Sequence, residues 1–278
     1  MKPLLRLFPC LMLLLLALPA RADDPPEDPA DTARAAYAEL LAVRAKGQEA
    51  RSAAFEKSRV ETDEAAKKAA QDEAMKVSRE WSEKENAATD TFCKLFDAAE
   101  VEAFKLPDEA ELLEVGLYES ARDALETNPK RAVERWELLL KKLPKCGMAD
   151  YVRHTWLPIA LPSTGELEHA EKRLGELFAE VPEEHKPTVR MGIGDVQALR
   201  GNYDAAQASY AEALKAIPED ADPKKDARGR ARGYIQMRAA LVGKPAPEVD
   251  AKTWLGAEPA KLSAFKGKVV LLDCWATW

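Results

Sequence analysis

Three stretches in the middle of the chain share one spaced pattern of residues, and this repeat restricts the possible folds more than any other feature. The copies start 38 and then 36 residues apart, a period typical of helical solenoids. Within each copy, offsets of four and three place three positions on one helix face, and a proline five residues later ends the helix. The pattern therefore predicts stacked helix pairs. The copies are Ala132, Trp136, Leu139 and Pro144; Ala170, Leu174, Leu177 and Pro182; and Ala206, Tyr210, Ala213 and Pro218.

The third copy is the most complete, because Gly194 lets two helices approach and Gly201-Asn202 provides the turn between them. With these residues, the stretch from about 112 to 219 resembles the tetratricopeptide repeat. Arg190 and Gln197 stand where that family prefers large aromatic residues, and the first two copies match only in their second helices. The resemblance implies a helix-pair array whose groove binds peptides or proteins. Its predicted core is Ala132, Trp136, Leu139, Ala170, Leu174, Leu177, Gly194, Ala206, Tyr210 and Ala213.

The array has a predicted C-terminal limit. Residues 226–242 form an amphipathic pattern that predicts a further helix, which would cap the array as solenoid ends require. The glycine and two prolines of Gly243-Lys-Pro-Ala-Pro247 then stop the helix and begin an extended segment. We therefore place the helical repeats and their capping helix at 107–242, and a separate segment at 243–278.

The N-terminal residues 1–22 have the features of a secretory signal peptide. Lys2 and Arg6 form a basic end, an apolar run follows, and Ala20-Arg21-Ala22 is a small-x-small cleavage site. The sequence therefore predicts a secreted or periplasmic protein of the bacterial cell envelope. The apolar run is too short to span a bilayer comfortably, and no second one follows, so no stable membrane span is expected after cleavage.

The next two segments differ in composition. Residues 23–31 are acidic and rich in proline, which predicts a short disordered leader. Residues 32–106 lack proline and consist mainly of good helix formers, interrupted only by Gly47. Large apolar residues are sparse there, so we expect one or two long helices with thin apolar seams. A partly solvated helical spacer is the preferred interpretation, and a coiled coil stays open as the alternative.

The segment 243–278 contains several motifs in a fixed order. After Gly243-Lys-Pro-Ala-Pro247 come Leu262-Ser263, Phe265-Lys-Gly-Lys268, an apolar stretch at 269–272, and Trp275-Ala-Thr-Trp278. Together they resemble the opening of the TlpA/ResA-like thiol-disulfide oxidoreductases of the thioredoxin superfamily. Peroxiredoxins share the earlier motifs, and the Trp-Ala-Thr-Trp motif favours the reductases. The expected fold is thus mostly α, with the first part of an incomplete thioredoxin-like α/β domain.

The same resemblance implies the chemistry of the segment. The reactive C-x-x-C pair of this family would come directly after Trp278, so no catalytic cysteine is expected within the 278 residues. Asp273 would correspond to a buried acid that manages protons for the resolving cysteine, or else be an ordinary polar residue at a strand end. Trp275 and Trp278 would flank the dithiol, and Cys274 would be a core residue of the strand. No cofactor or metal is implied.

Charge and the remaining reactive residues narrow the possible functions. The net charge of −7 argues against nucleic acid or an anionic membrane as a partner. A basic cluster at 224–232 is interpreted as a solvated or ion-paired helix face. The histidines have no metal-ligand spacing: His154, His169 and His185. Cys93 and Cys146 could form a bridge, although small buried thiols are the preferred interpretation.

These observations lead to one preferred function and two alternatives. The preferred one is an exported thiol-disulfide oxidoreductase that acts on protein disulfides and carries a helical-repeat interaction region. The first alternative is a protein-binding scaffold of the cell envelope without redox activity. The second is a peroxiredoxin-like antioxidant protein. The chain ending at Trp278 is itself expected to be inactive in redox chemistry.

Overall fold

Helices make up nearly all the regular structure, as the sequence predicted. A computed structural model describes residues 28–99, 101–248 and 260–271, and within these ranges there is no β-strand. The predicted signal peptide at 1–22 lies outside the described residues. Most of the predicted thioredoxin-like motifs also lie outside them, because 249–259 and 272–278 are not described.

The described chain begins with a long helix, α1 (Pro29–Val60). The Asp28 side chain accepts a hydrogen bond of 2.9 Å from the backbone N–H of Ala30, and Pro29 occupies the first turn. An aspartate cap and a proline at this position both favour helix initiation. The prediction of a disordered leader over 23–31 is therefore wrong for its last residues, since Ala30 is buried in the core.

A second long helix, α2 (Glu64–Ala98), folds back along α1 to form an antiparallel hairpin. Near its base the rings of Tyr37 and Phe92 lie 5.5 Å apart, and further out Arg51 donates to Glu85 at 2.7 Å. A helix of this length extends roughly 50 Å, so the hairpin reaches well away from the rest of the core.

The seam of the hairpin has the spacing of a coiled coil, although its residues are mostly small. Buried and half-buried positions of α1 follow one another at intervals of three or four residues. They are Ala33, Ala36, Leu40, Val43, Gly47, Ala50, Ala54 and Ser58. The large apolar residues Phe55 and Met75 are exposed, so they do not mark this seam. Small seam residues allow close approach of the two helices.

Helix α3 (Ala110–Ala124) joins the base of the hairpin to the following helices. The ring of Phe96 lies directly over Gly116, where any Cβ atom would overlap it, and Phe104 stacks on Phe96 with centroids 5.4 Å apart. Because α3 also contacts α1 through the hydrogen bond from Tyr37 to Glu111, both helices of the hairpin contact the first helix of the array.

The remaining helices follow in pairs. Helix α3 packs on α4, and a helical segment over 149–164 packs between α4 and α7. Helix α8 then packs on both α7 and α9, and α10 covers α8 and α9. The elements are α4 (Pro129–Lys142), α5 (Ala149–Tyr151), a π-helical turn (Val152–Trp156), α6 (Leu157–Ala160), a 3-10 turn (Leu161–Thr164), α7 (Leu167–Glu180), α8 (Lys186–Leu199), α9 (Tyr203–Lys215) and α10 (Ala227–Leu241).

All ten residues of the predicted repeat core are buried. The proline of each copy lies two or three residues beyond the end of α4, α7 or α9, where it prevents the helix from continuing. The buried residues of the first two copies belong to one core that also includes the base of the hairpin. Those of the third copy form a second core with Ile217, Ala231 and Ile235.

The π-helical turn has a local cause. Pro158 has no N–H group, so it cannot donate to the carbonyl of His154 four residues earlier. The N–H of Leu157 bonds instead to the carbonyl of Val152, five residues back. Such turns are uncommon and often occur near functional sites.

Candidate interaction surface of the helical array

The two glycines of the Gly192-Ile-Gly194 stretch lie where helices touch. A Cβ atom on Gly192 would overlap the carbonyl oxygen of Pro158, and one on Gly194 would lie 2.5 Å from Cε1 of Tyr210. Only glycine permits such close approach of backbone or ring. Both residues therefore serve helix packing.

Replacing Gly192 with alanine should destabilise the protein by about 1–3 kcal/mol, because the new methyl group meets a backbone oxygen that cannot rotate away. Gly175 provides a matched control, since it lies in α7 and a Cβ there would meet nothing within 4 Å. Gly175→Ala should be neutral or stabilising by up to about 1 kcal/mol. Urea unfolding followed by circular dichroism measures both changes. Equal stabilities of the two variants would contradict the packing role of Gly192.

Asp195 links the last three helices of the array. Tyr210 of α9 donates its hydroxyl to Asp195 Oδ1 at 2.7 Å. Nε of Arg238, in α10, lies 2.8 Å from each carboxylate oxygen. Burial, together with the bond to this carboxylate, raises the pKa of Tyr210 above its usual range. Its hydroxyl therefore stays protonated at neutral pH, and the network is structural.

A cluster of aromatic residues surrounds the π-helical turn. Buried Trp136 stacks on Trp156 with ring centroids 5.4 Å apart, and Trp156 Nε1 donates to the Tyr118 hydroxyl at 3.0 Å. Tyr151 meets Trp156 edge-on at 5.9 Å and is 47% exposed. Because Trp156 is only partly buried, this cluster offers an aromatic surface that could stack against side chains of a bound peptide.

The repeat pattern predicted Trp136 as a core residue, but it did not indicate Tyr118, Tyr151 or Trp156. A signal was present in the sequence, since an interval of 38 residues separates Tyr118 from Trp156, and the same interval separates Trp156 from Gly194. This spacing equals that between the first two copies of the second-helix pattern. The three residues occupy corresponding first helices, and different residue types at the three positions concealed the relation.

Two neighbouring clefts lie at one end of the array, with volumes of about 780 and 580 Å³. Both are lined by Glu183 and Arg228, and both mix acidic and basic side chains. Several of these charges are paired within the protein: Lys186 with Glu183, Arg190 with Glu212, and Arg228 with Asp226. The clefts are open and lined with charged side chains, so they suit a polar segment of a partner better than an enclosed reaction.

The basic cluster at the start of α10 has intramolecular partners. Arg228 donates to Asp226 at 2.8 Å. Arg232 donates to the backbone carbonyls of Pro218 and Glu219. Asp226 thus balances the charge of Arg228, and the contacts of Arg232 fix the chain that precedes α10.

The two described cysteines are free thiols. Burial raises the pKa of Cys93 to about 12, and nearby carboxylates add to the effect. Burial also raises the pKa of Cys146. Since the thiolate is the reactive form, neither residue is suited to attack a disulfide.

The residues predicted to flank the redox pair, Asp273, Trp275 and Trp278, lie outside the described residues, as does Cys274. The described residues 260–271 contain a 3-10 turn (Leu262–Phe265). Residues 269–271, predicted to begin a strand, have no regular structure and are exposed. A strand needs a hydrogen-bonded neighbour, and the described chain offers none.

The three histidines lie in different surroundings. His169 is exposed on α7, whereas the rings of His154 and His185 stack with centroids 4.1 Å apart. Across 28–99, 101–248 and 260–271, no group of three or more potential ligand side chains could hold a metal ion. Over the same ranges, no helix combines the length and apolar character that crossing a bilayer requires.

Comparisons with protein-family models, curated proteins and solved structures found no match to this chain.

Proposed function

We propose that this protein is an exported thiol-disulfide oxidoreductase in which the helical array binds protein partners. Each half of this proposal has its own support. The redox half rests on the ordered motifs of 243–278, above all Trp275-Ala-Thr-Trp278. The binding half rests on the half-exposed aromatic cluster at the π-helical turn and on the polar clefts at the end of the array.

The array is suited to binding because its stability does not depend on the exposed residues. The repeated positions are fully buried, so the packing of the helices is already complete. Trp156 and Tyr151 then contribute aromatic area to a surface that is held rigid by the stack on Trp136. Rigid aromatic side chains lose little conformational entropy when a partner binds.

The proposed chemistry needs the cysteine pair that the resemblance puts directly after Trp278. The first thiolate attacks a substrate disulfide, forming a mixed disulfide and releasing one substrate thiolate. The second cysteine then attacks the first, which releases the reduced substrate and leaves a disulfide in the oxidoreductase. An external thiol donor restores the pair. Asp273 would accept the proton of the second cysteine. Cys93 and Cys146 cannot replace the pair, since burial keeps them as thiols.

Insulin reduction tests this function. The coding sequence is first read beyond codon 278, and protein that includes the following residues is assayed with a thiol donor. We expect turnover by this protein, and none by a matched variant in which both cysteines of the pair are serine. The chain ending at Trp278 should also be inactive. Turnover by that chain, or a coding sequence without the pair, would contradict the proposal.

A second function is a protein-binding scaffold without redox activity. It is favoured by the two free, unactivated thiols and by the complete packing of the helix pairs. The two functions differ in one observable feature. An oxidoreductase forms a mixed disulfide with its substrate when the second cysteine of the pair is serine, whereas a scaffold binds its partner equally well with or without cysteines.

A further inference from the structure

The His154–His185 stack joins two parts of the array. His154 belongs to the π-helical turn, in the first helix of the second repeat. His185 ends the short 3-10 turn Glu183–His185, immediately before α8. The two imidazole planes are inclined by 27° and their centroids lie 4.1 Å apart. The contact therefore connects the second and third helix pairs through two groups that both bind protons near neutral pH.

Charged groups from each neighbouring element face this contact. Two come from the segment of His154, one from the turn of His185, and two from the start of α10. They are Asp150, Arg153, Glu184, Asp226 and Arg230. Asp150 is paired with Arg153 at 3.2 Å, and Asp226 is paired with Arg228 at 2.8 Å. Asp150 and Asp226 are therefore partly neutralised already and compensate poorly for new positive charge on the rings, whereas Glu184 favours a charge on His185.

We propose that the stacked rings of His154 and His185 form a pH-sensitive joint between the second and third helix pairs. The joint is closed while both rings are neutral. When both rings are protonated, two positive charges lie face to face at stacking distance, and the contact separates.

The direction of the effect follows from burial. Desolvation lowers the pKa of His154, and the neighbouring His185 lowers it further. Desolvation is also the main cause that lowers the pKa of His185. An unfolded histidine has a pKa of about 6.5, so below this pH the open or unfolded chain binds more protons than the closed joint. The contribution of the joint to stability is thus complete above about pH 6.5 and is lost as pH falls below it.

Opening of the joint would also change the larger cleft. His185 lines the cleft of about 780 Å³ together with Glu184 and residues of α10. Protonation of His185 adds positive charge to this lining. The proposed joint therefore couples pH to the polar surface at the end of the array, and it does not depend on the redox half of the proposed function.

Hydrogen exchange on the purified protein tests the joint. Amide exchange is measured at about pH 5 and about pH 7.5 and corrected for the intrinsic pH dependence of exchange. In the wild type we expect loss of protection at the lower pH in 150–156 and 184–190. The double variant His154→Phe, His185→Phe keeps two stacked rings without titratable groups, and it should retain protection at both pH values. His169→Gln is the matched control, because His169 is exposed, and it should behave as the wild type does.

Two results would overturn the joint. One is the same loss of protection in the double phenylalanine variant as in the wild type. The other comes from the wild type alone, so it holds even if the variant does not fold. Histidine titration followed by NMR should show that the imidazoles of His154 and His185 have pKa values below the ordinary range. Ordinary or raised pKa values for these two histidines would exclude the mechanism.

Discussion

Replacing Tyr210 with alanine should lower the free energy of unfolding by about 3–5 kcal/mol, the range typical of large-to-small changes at buried aromatic residues. The ring is fully buried in the second core and fills the space above Gly194, so its removal leaves a cavity between α8 and α9. The variant also loses the hydroxyl that donates to Asp195. Urea unfolding followed by circular dichroism measures the loss.

Tyr210→Phe separates the two contributions. It keeps the ring and removes only the hydrogen bond to Asp195, which retains Arg238 as a partner. We expect a cost of about 1.5 kcal/mol, as for one hydrogen bond to a charged group. A loss below about 1 kcal/mol for Tyr210→Ala itself would show that the ring does not fill a core position.

Replacing Trp136 with alanine should have an effect of similar size, about 3–5 kcal/mol. Trp136 is fully buried and stacks on Trp156, so the variant loses both apolar burial and the aromatic contact that supports the exposed cluster. Its Nε1 has no hydrogen-bond partner among the described residues. Trp136→Phe should therefore cost clearly less, because it removes an unsatisfied donor while retaining an aromatic ring.

Tyr151→Ala is the matched control within the same cluster. Tyr151 also contacts Trp156 but is 47% exposed, so its replacement should cost less than about 1 kcal/mol. Trp136 and Tyr210 belong to different cores, and the double alanine variant should therefore show roughly the sum of the two single losses. Similar losses for Trp136→Ala and Tyr151→Ala would contradict the assignment of Trp136 to the core.

The repeated pattern predicted the buried face of the array well, because it reflects contacts between neighbouring helices. Ala206, Tyr210 and Ala213 share a face by helical geometry alone, and that face had to be covered. The hairpin was harder to predict. Its seam consists mostly of alanine, glycine and serine, residues that are equally common on solvated helix faces, and only the packing of α2 against α1 distinguishes the inward ones. Asp28 likewise became recognisable as a helix cap only with the helix in place.

The sequence by itself determined that the chain is mainly helical, which residues of the repeats face inward, and where prolines end the helices. These properties depend on residues within one or two helical turns of each other, so local spacing encodes them. Tertiary structure alone decided that His154 stacks on His185, that Asp195 joins Tyr210 to Arg238, and that Gly192 lies against Pro158. Each of these contacts joins residues from different helices or turns, and its existence depends on how those elements pack rather than on any local pattern.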